Sequence, residues 1–391
     1  MDEQPQGTIL SGYRILDLTN EKGMFAARLL ADMGAEVILV EKPGTRPAGS
    51  SADYCYLNAG KRSISLDFER TGGRELFKRL VKKADVVVET ESPGYLASLG
   101  LGYTELSEIN PGLIMASITD FGQSGPYRDY QSSDMVAAAL GGWMYVCGGP
   151  ETPPLKPFGN QAYYSASLFT ANGILLALWN RHAIGRGQYI DVSIMECVAA
   201  TLDHVLVRYF YEDIVSERQG SQHWNNAFRI FPCRDGYILL TLFQQWETLV
   251  ELLESEGMAD DLDDEKWRDR DERLKGIDHV ADVLERWTLA HTVSELVEKG
   301  QLMRFPWAEV SSIPELLSNR QLSERNYFVE IECTDTGGKY KAPGVPCRLS
   351  RSPWQVGDRS SGAGEHNLDI YQREMGLSIE EIEGLTREGV I

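Results

Sequence analysis

None of the six cysteines, Cys55, Cys147, Cys197, Cys233, Cys333 and Cys347, stands in a C-x-x-C pair, and the six histidines are equally dispersed. A zinc cluster or a redox pair therefore has no local support, and no metal-ligand set is expected. Cysteines so scattered read as small apolar residues of a chain in a reducing, cytoplasmic setting. Long apolar runs are missing too. The richest stretches, around Met135–Cys147 and Leu168–Trp179, are broken by Gly, Thr or Asn and fall short of the roughly 20 residues that span a bilayer. The acidic start Met1-Asp2-Glu3-Gln4 has no apolar core behind it, so no signal peptide is expected. Positive charge is scarce: Lys and Arg total 38 against 58 Asp and Glu, a net charge of −20. Such a surface repels nucleic acid and anionic lipid, while leaving room for a small anion in a local basic pocket.

Nucleotide fingerprints are absent as well. Asn20-Glu21-Lys22-Gly23 stands where a Gly-x-Gly-x-x-Gly would follow the first strand, and there is no P-loop. Gly122-Gln123-Ser124-Gly125 lacks the spacing of a nucleophile elbow. No internal repeat or low-complexity tract is visible.

What is present is an ordinary globular composition, 42% hydrophobic and 25% charged, over 391 residues. That length predicts two domains, or one large domain with an insert. Strand-like and helix-like segments alternate from Tyr13 to Ile118. The strands fall at 13–18, 36–41, 63–67, 85–89 and 113–118, and the helices at 25–33, 73–80 and 103–109. This alternation predicts an α/β fold with a mostly parallel, buried sheet. Ser165–Trp179 reads as a long helix buried on most sides, 189–194 as a strand and 195–211 as a helix. Residues 225–325, dense in charge, read as a smaller domain, with 1–224 and 326–391 forming the large one. Residues 350–365 have linker composition, and Ser378 with Glu381 predicts a capped terminal helix.

Candidate ligand contacts lie at the expected carboxyl edge of the sheet. Lys42 and Arg46 follow the second strand, and Lys61 and Arg62 precede the third. Each pair reads as a phosphate contact or, more plainly, as solvated turn cations. The Phe121–Tyr127 Gly/Pro loop reads equally as a ligand cradle or a connector. Asp134 reads first as a helix N-cap and second as a catalytic carboxylate. His366 reads as a surface residue.

The ordered set of short segments resembles the class III CoA-transferases, a group that includes formyl-CoA and carnitine CoA-transferases and the α-methylacyl-CoA racemases. The matching pieces include Leu29-Leu30-Ala31-Asp32-Met33-Gly34-Ala35-Glu36-Val37-Ile38, Val40-Glu41-Lys42-Pro43-Gly44, Gly60-Lys61-Arg62-Ser63 and Leu99-Gly100-Leu101-Gly102-Tyr103. Phe121-Gly122-Gln123-Ser124-Gly125-Pro126, Gly185-Arg186-Gly187-Gln188 and Gly364-Glu365-His366-Asn367 continue the series. The resemblance implies a Rossmann-like large domain with a parallel sheet, a smaller α+β domain, and a dimer whose chains interlock. It implies CoA or acyl-CoA as substrate with no tightly bound cofactor, a carboxylic acid as the second substrate, and neither nucleic acid nor membrane as partner. Lys42 and Leu66 match positions beside the CoA nucleotide, and Thr90 and Leu99 match further positions of the CoA pocket. Thr90-Glu91-Ser92 replaces the family's frequent Asn-Phe-Arg, so a basic contact gives way to an acidic one.

The larger departure concerns the chemistry. Counting back from Gly173-Ile174-Leu175-Leu176-Ala177-Leu178 puts Tyr163 at the position of the family's nucleophilic Asp. That Asp attacks the donor thioester, giving a mixed anhydride and free CoA thiolate, which re-attacks to give an enzyme thioester. A phenol, with an ordinary pKa near 10, forms no such anhydride. Ser133 stands where the racemases carry a His, so both racemase bases are missing. Three readings follow: a transferase subunit paired with a homologous subunit that keeps the Asp; a homomeric acyl-CoA isomerase, lyase or dehydratase built on Asp134, Tyr163 or Tyr164; or a non-catalytic CoA-binding protein. The first is preferred, because the fold signals are intact while only the reacting group is replaced.

Overall fold

Ile15 and Leu16, neighbours in strand β1 (Arg14–Leu18), are both fully buried yet belong to different apolar cores. A strand turns successive side chains to opposite faces, so β1 sits inside a sheet covered on both sides. The computed structural model describes residues 7–46, 51–223 and 228–391. The expected domain boundary at 224/225 and the Met1–Gln4 segment lie outside the described residues.

In chain order β1 is followed by α1 (Met24–Asp32), β2 (Glu36–Glu41), α2 (Ala52–Asn58), β3 (Arg62–Ser65), α3 (Thr71–Val81), β4 (Val86–Glu89), α4 (Tyr95–Ser98), α5 (Tyr103–Ile109) and β5 (Ile114–Thr119). Then come α6 (Asp134–Leu140), α7 (Trp143–Val146), α8 (Gln161–Ile184), β6 (Tyr189–Ser193), α9 (Ile194–Ala200) and α10 (Asp203–Glu212). The six strands form one parallel sheet in the order β3-β2-β1-β4-β5-β6. One face packs against α1 and α8 through Ala27, Leu30, Ala166 and Ile174. The other packs against α3, α5 and the C-terminal segment through Phe77, Leu106, Ile370 and Tyr371. Chain direction across the sheet reverses between β1 and β4. In open α/β sheets that switch point opens a ligand crevice at the carboxyl edge.

The chain divides into two compact units, one within 1–143, 156–214 and 321–391, the other within 144–155 and 215–320. The second contains β7 (Phe228–Pro232), β8 (Tyr237–Thr241), α11 (Trp246–Ser255), α12 (Arg270–Lys275), α13 (Ile277–Leu289), α14 (Val293–Leu302), β9 (Ala308–Glu309) and α15 (Ile313–Ser318). Its antiparallel sheet, β7-β8-β9, packs on helices through Trp246, Trp287, Phe305 and Trp307. After α16 (Arg320–Glu324) the chain adds β10 (Phe328–Cys333), β11 (Gly338–Pro343), β12 (Arg359–Ser360) and α17 (Ile379–Arg387). Ser378 and Glu381 form the expected capping box at the start of α17.

Five expectations are corrected. Helix 165–179 extends over Gln161–Ile184, and its all-round apolar surface is not all buried: Leu176 is 64% and Trp179 76% exposed. The sheet together with α1, α6 and α9 covers only one side of it. The 195–211 helix is two helices, α9 and α10, divided at Thr201 and Leu202. The 350–365 stretch is fastened rather than loose, since Gln355 N–H donates to the Asp32 carbonyl at 2.7 Å and β12 pairs with β10. Cys55 and Cys333 are disulfide-bonded, with Cα atoms 5.3 Å apart. Their separation of 278 residues hid the pairing from any spacing rule. His366 is corrected as well: it is half-buried, and its Nδ1 accepts the Ser63 N–H at 3.2 Å. Asn367 likewise accepts the Ser65 N–H at 2.9 Å, so side chains of the C-terminal segment satisfy the edge of β3.

Candidate active site at the carboxyl edge of the sheet

Four cavities with shared walls run along the carboxyl ends of β1, β2, β4 and β5. The largest, about 580 Å³, lies between the start of α1, α2 and the N-terminus of α8, and is lined by Met24, Phe25, Tyr54, Tyr163 and Tyr164 among others. A second of about 320 Å³ shares Met24 and Tyr54 with it and extends past Thr90 and Glu91 to Lys42. A third of about 180 Å³ continues from Lys42 to Leu66, Glu69 and Tyr95. A polar fourth of about 240 Å³ branches at Thr90 and Glu91 toward Lys22, Asp120 and Arg128. The path lies at the switch point, where the parallel topology leaves the strand ends uncovered.

Among the expected CoA contacts, Lys42, Leu66 and Thr90 line this path, and Thr90 Oγ1 accepts the Asn20 N–H at 2.9 Å. Leu99 packs instead against the apolar cluster on one face of the sheet. Arg46 borders the path, but its charge is spent internally. The guanidinium pairs with Glu41, donates to the Ser361 carbonyl at 2.7 Å and lies over the Tyr54 ring at 5.0 Å. Lys61 is buried, donating to Asp17 Oδ2 at 2.7 Å, Asn58 Oδ1 at 2.9 Å and the Met24 carbonyl at 3.0 Å. Arg62 is held between Glu36 and Glu374. The basic cluster expected from the sequence is therefore mostly structural. The Lys42 side chain is 44% exposed, against 25% for Arg62, 6% for Arg46 and 1% for Lys61. Lys42 has its own counter-ion, since Nζ donates to Glu69 Oε2 at 2.6 Å, which raises the ammonium pKa and lowers that of Glu69.

Asp134 is not the cap of its own helix. Ser133 caps α6, accepting the Val136 N–H, and Asp134 is the first residue inside it. Its buried carboxylate reaches across to α8. Oδ1 accepts the N–H groups of Ala162 at 2.9 Å and Tyr163 at 3.3 Å, while Oδ2 takes the Lys156 ammonium at 3.0 Å. Lys156 also donates to the carbonyls of Pro157 and Gly159. One ion pair thus fixes both the 157–160 loop and the first turn of α8, satisfying amides that would otherwise be orphaned. The carboxylate is committed to this framework, and the helix terminus has its anion already. No sequence signal marked Lys156, which sits in a Pro-rich loop.

The same framework sets Tyr163 in the wall of the largest cavity, 7% exposed. Burial first, then the charges of Asp120, Glu21 and Asp134, push its phenol up to about 12. At neutral pH it is an uncharged hydrogen-bonding group. The expected cradle loop is anchored by Gln123, whose N–H donates to both Asp191 oxygens at 3.1 Å, and Gly122 there takes φ +86°, open to glycine without strain. Near the branch cavity, Thr119 Oγ1 and Asp120 Oδ1 are buried without hydrogen-bond partners among the described residues.

Comparison with known proteins places this geometry. The chain is 34% identical to the succinyl-CoA:(R)-benzylsuccinate CoA-transferase subunit BbsE of Thauera aromatica, over 98% of each chain. It is 31% identical, again over 98% of each, to the succinyl-CoA–L-malate CoA-transferase beta subunit of Chloroflexus aurantiacus. The crystal structure of a CaiB/BaiF family protein from Brucella suis superposes with a TM-score of 0.86 at 28% identity, covering 94% of this chain and 100% of that one. Residues 10–367 match the model of CoA-transferase family III, and the chain belongs to that family.

Proposed function

We propose that this chain is the subunit of a family III CoA-transferase that lacks its own carboxylate nucleophile and works with a homologous subunit that carries one. The observation behind this reading is Tyr163. A phenol held near pKa 12 stands at the first turn of α8, facing the largest cavity, where the family resemblance puts the attacking Asp. Asp134, the nearest alternative carboxylate, is taken up by two backbone N–H groups and Lys156. Both similar relatives named above are subunits.

In this reading CoA lies along the connected cavities, with its nucleotide near Lys42 and Leu66, its pantetheine arm past Thr90, and the thioester near Tyr163. The substrates are an acyl-CoA and a carboxylic acid. The assembly is an interlocked pair of chains, homologous rather than identical in the active enzyme. The domain limits follow the two units, and the cytoplasm is the expected location. The test is reconstitution: the chain produced alone should exchange no CoA between thioester and acid, and co-production with a homologous subunit that keeps the Asp should give turnover. Full turnover by the chain alone overturns the proposal.

A further inference from the structure

Five aromatic rings, Phe25, Tyr54, Phe158, Tyr163 and Tyr164, face the cavity of about 580 Å³ at the start of α8. Phe25 and Tyr164 meet edge to face, with centroids 4.8 Å apart and planes at 72°. Among the described residues, no lysine, arginine or histidine lines this cavity, and the charged ones that do are the rim carboxylates Glu21 and Asp53. The amides at the nearby helix terminus already serve Asp134.

Two consequences follow from elementary chemistry. An apolar ring entering this space exchanges water for aromatic faces and edges, a favourable exchange with preferred geometry. A free carboxylate entering it sheds water, meets no cation among the described lining residues, and faces two like charges at the rim. The volume suits a ring-bearing group and leaves a two-carbon group loosely held. We infer that this cavity receives the acyl portion of the thioester and selects ring-sized apolar acyl groups over those ending in a second carboxylate. The inference rests on the CoA reading above. It names the acyl class that reading leaves open, and it concerns binding, so it holds whichever subunit supplies the nucleophile.

The experiment compares four ligands by titration calorimetry on the full-length chain, with any homologous subunit that co-purifies: CoA, acetyl-CoA, succinyl-CoA and phenylacetyl-CoA. Because all four share the CoA portion, differences report the acyl cavity. Phenylacetyl-CoA should bind about tenfold more tightly than acetyl-CoA, in line with what apolar pocket contacts discriminate, and succinyl-CoA no more tightly than acetyl-CoA. Phe158→Ala, at a position 99% exposed and so free of folding cost, should lower the phenylacetyl preference. Tyr164→Ala should lower it further. Binding of CoA with equal affinity for the three thioesters, or a preference for succinyl-CoA, overturns the inference and leaves the CoA reading standing. Failure of all four ligands to bind rejects the CoA reading and this inference with it.

Discussion

Asp134 Oδ1 accepts the backbone N–H of Tyr163 at 3.3 Å across 29 residues of chain, so the residue in the cavity wall is positioned by a carboxylate on another helix. The interaction does the work of an N-cap for α8 from outside the helix. Asp134→Ala would leave two amides unsatisfied and the Lys156 ammonium without its carboxylate partner, at a cost of about 1–3 kcal/mol. Asp134→Asn keeps the accepting oxygen and should cost less. Urea unfolding of the two variants measures the difference, and equal midpoints would contradict the capping role.

Lys61 and Lys42 separate a framework cation from a binding cation. Lys61→Ala strands buried Asp17 and should destabilise the chain by about 3–5 kcal/mol. Lys42→Glu, which breaks only an exposed pair with Glu69, should lower the urea midpoint far less than Lys61→Ala does, while weakening CoA binding about tenfold and flattening its salt dependence. Calorimetry at two salt concentrations checks both arms. A Lys42→Glu variant that binds CoA as the wild type does removes Lys42 from the site.

Glu89, at the carboxyl end of β4, is buried, and burial raises its carboxyl to about 7 from the ordinary 4.5. The unfolded chain loses this proton near 4.5 and the folded chain only near 7, so the folded state binds the extra proton between them. The group's contribution to stability is therefore greatest below pH 4.5, declines as pH rises to 7, and is flat above. The full span is about 3 kcal/mol. Glu89→Gln should abolish that decline and be more stable than wild type at pH 8. A wild type and variant with parallel stability curves from pH 5 to 8 would contradict the assignment.

The central sheet was legible because its strands alternate with amphipathic helices, a periodicity that tertiary structure does not overturn. Strands expected at 13–18, 36–41 and 85–89 appear at Arg14–Leu18, Glu36–Glu41 and Val86–Glu89. The site was less legible, because sequence shows a charge but not its partner. Arg46 finds Ser361 and Arg62 finds Glu374 some 300 residues away, so the charge of each is engaged by contacts that no local pattern announces. Asp134 eludes a local pattern for the same reason: as a cap its partners would lie in the next residues, while its actual ones are 28 and 29 residues on. The apolar surface of α8 was read correctly as a pattern and wrongly as burial within one chain.

That surface makes its own prediction. Leu168, Phe169, Leu176 and Trp179 on α8 and Phe210 and Tyr211 on α10 are exposed, an apolar area that a lone soluble chain seldom presents. Light scattering should report a particle heavier than the 43.8 kDa chain at native pH, persisting on dilution because such a surface is covered as the assembly folds. A sharp monomer mass would contradict the interlocked assembly.

The most direct measurement of the central claim is an isotope-exchange assay of the chain purified alone, with labelled CoA, a thioester and a carboxylic acid, followed by hydroxylamine and borohydride trapping and mass mapping. With a neutral phenol at Tyr163 and a committed carboxylate at Asp134, the account predicts no exchange and no trapped acyl or CoA adduct until a homologous Asp-bearing subunit is added. Robust exchange by the chain alone, with an adduct mapped to one of its own carboxylates, would contradict it.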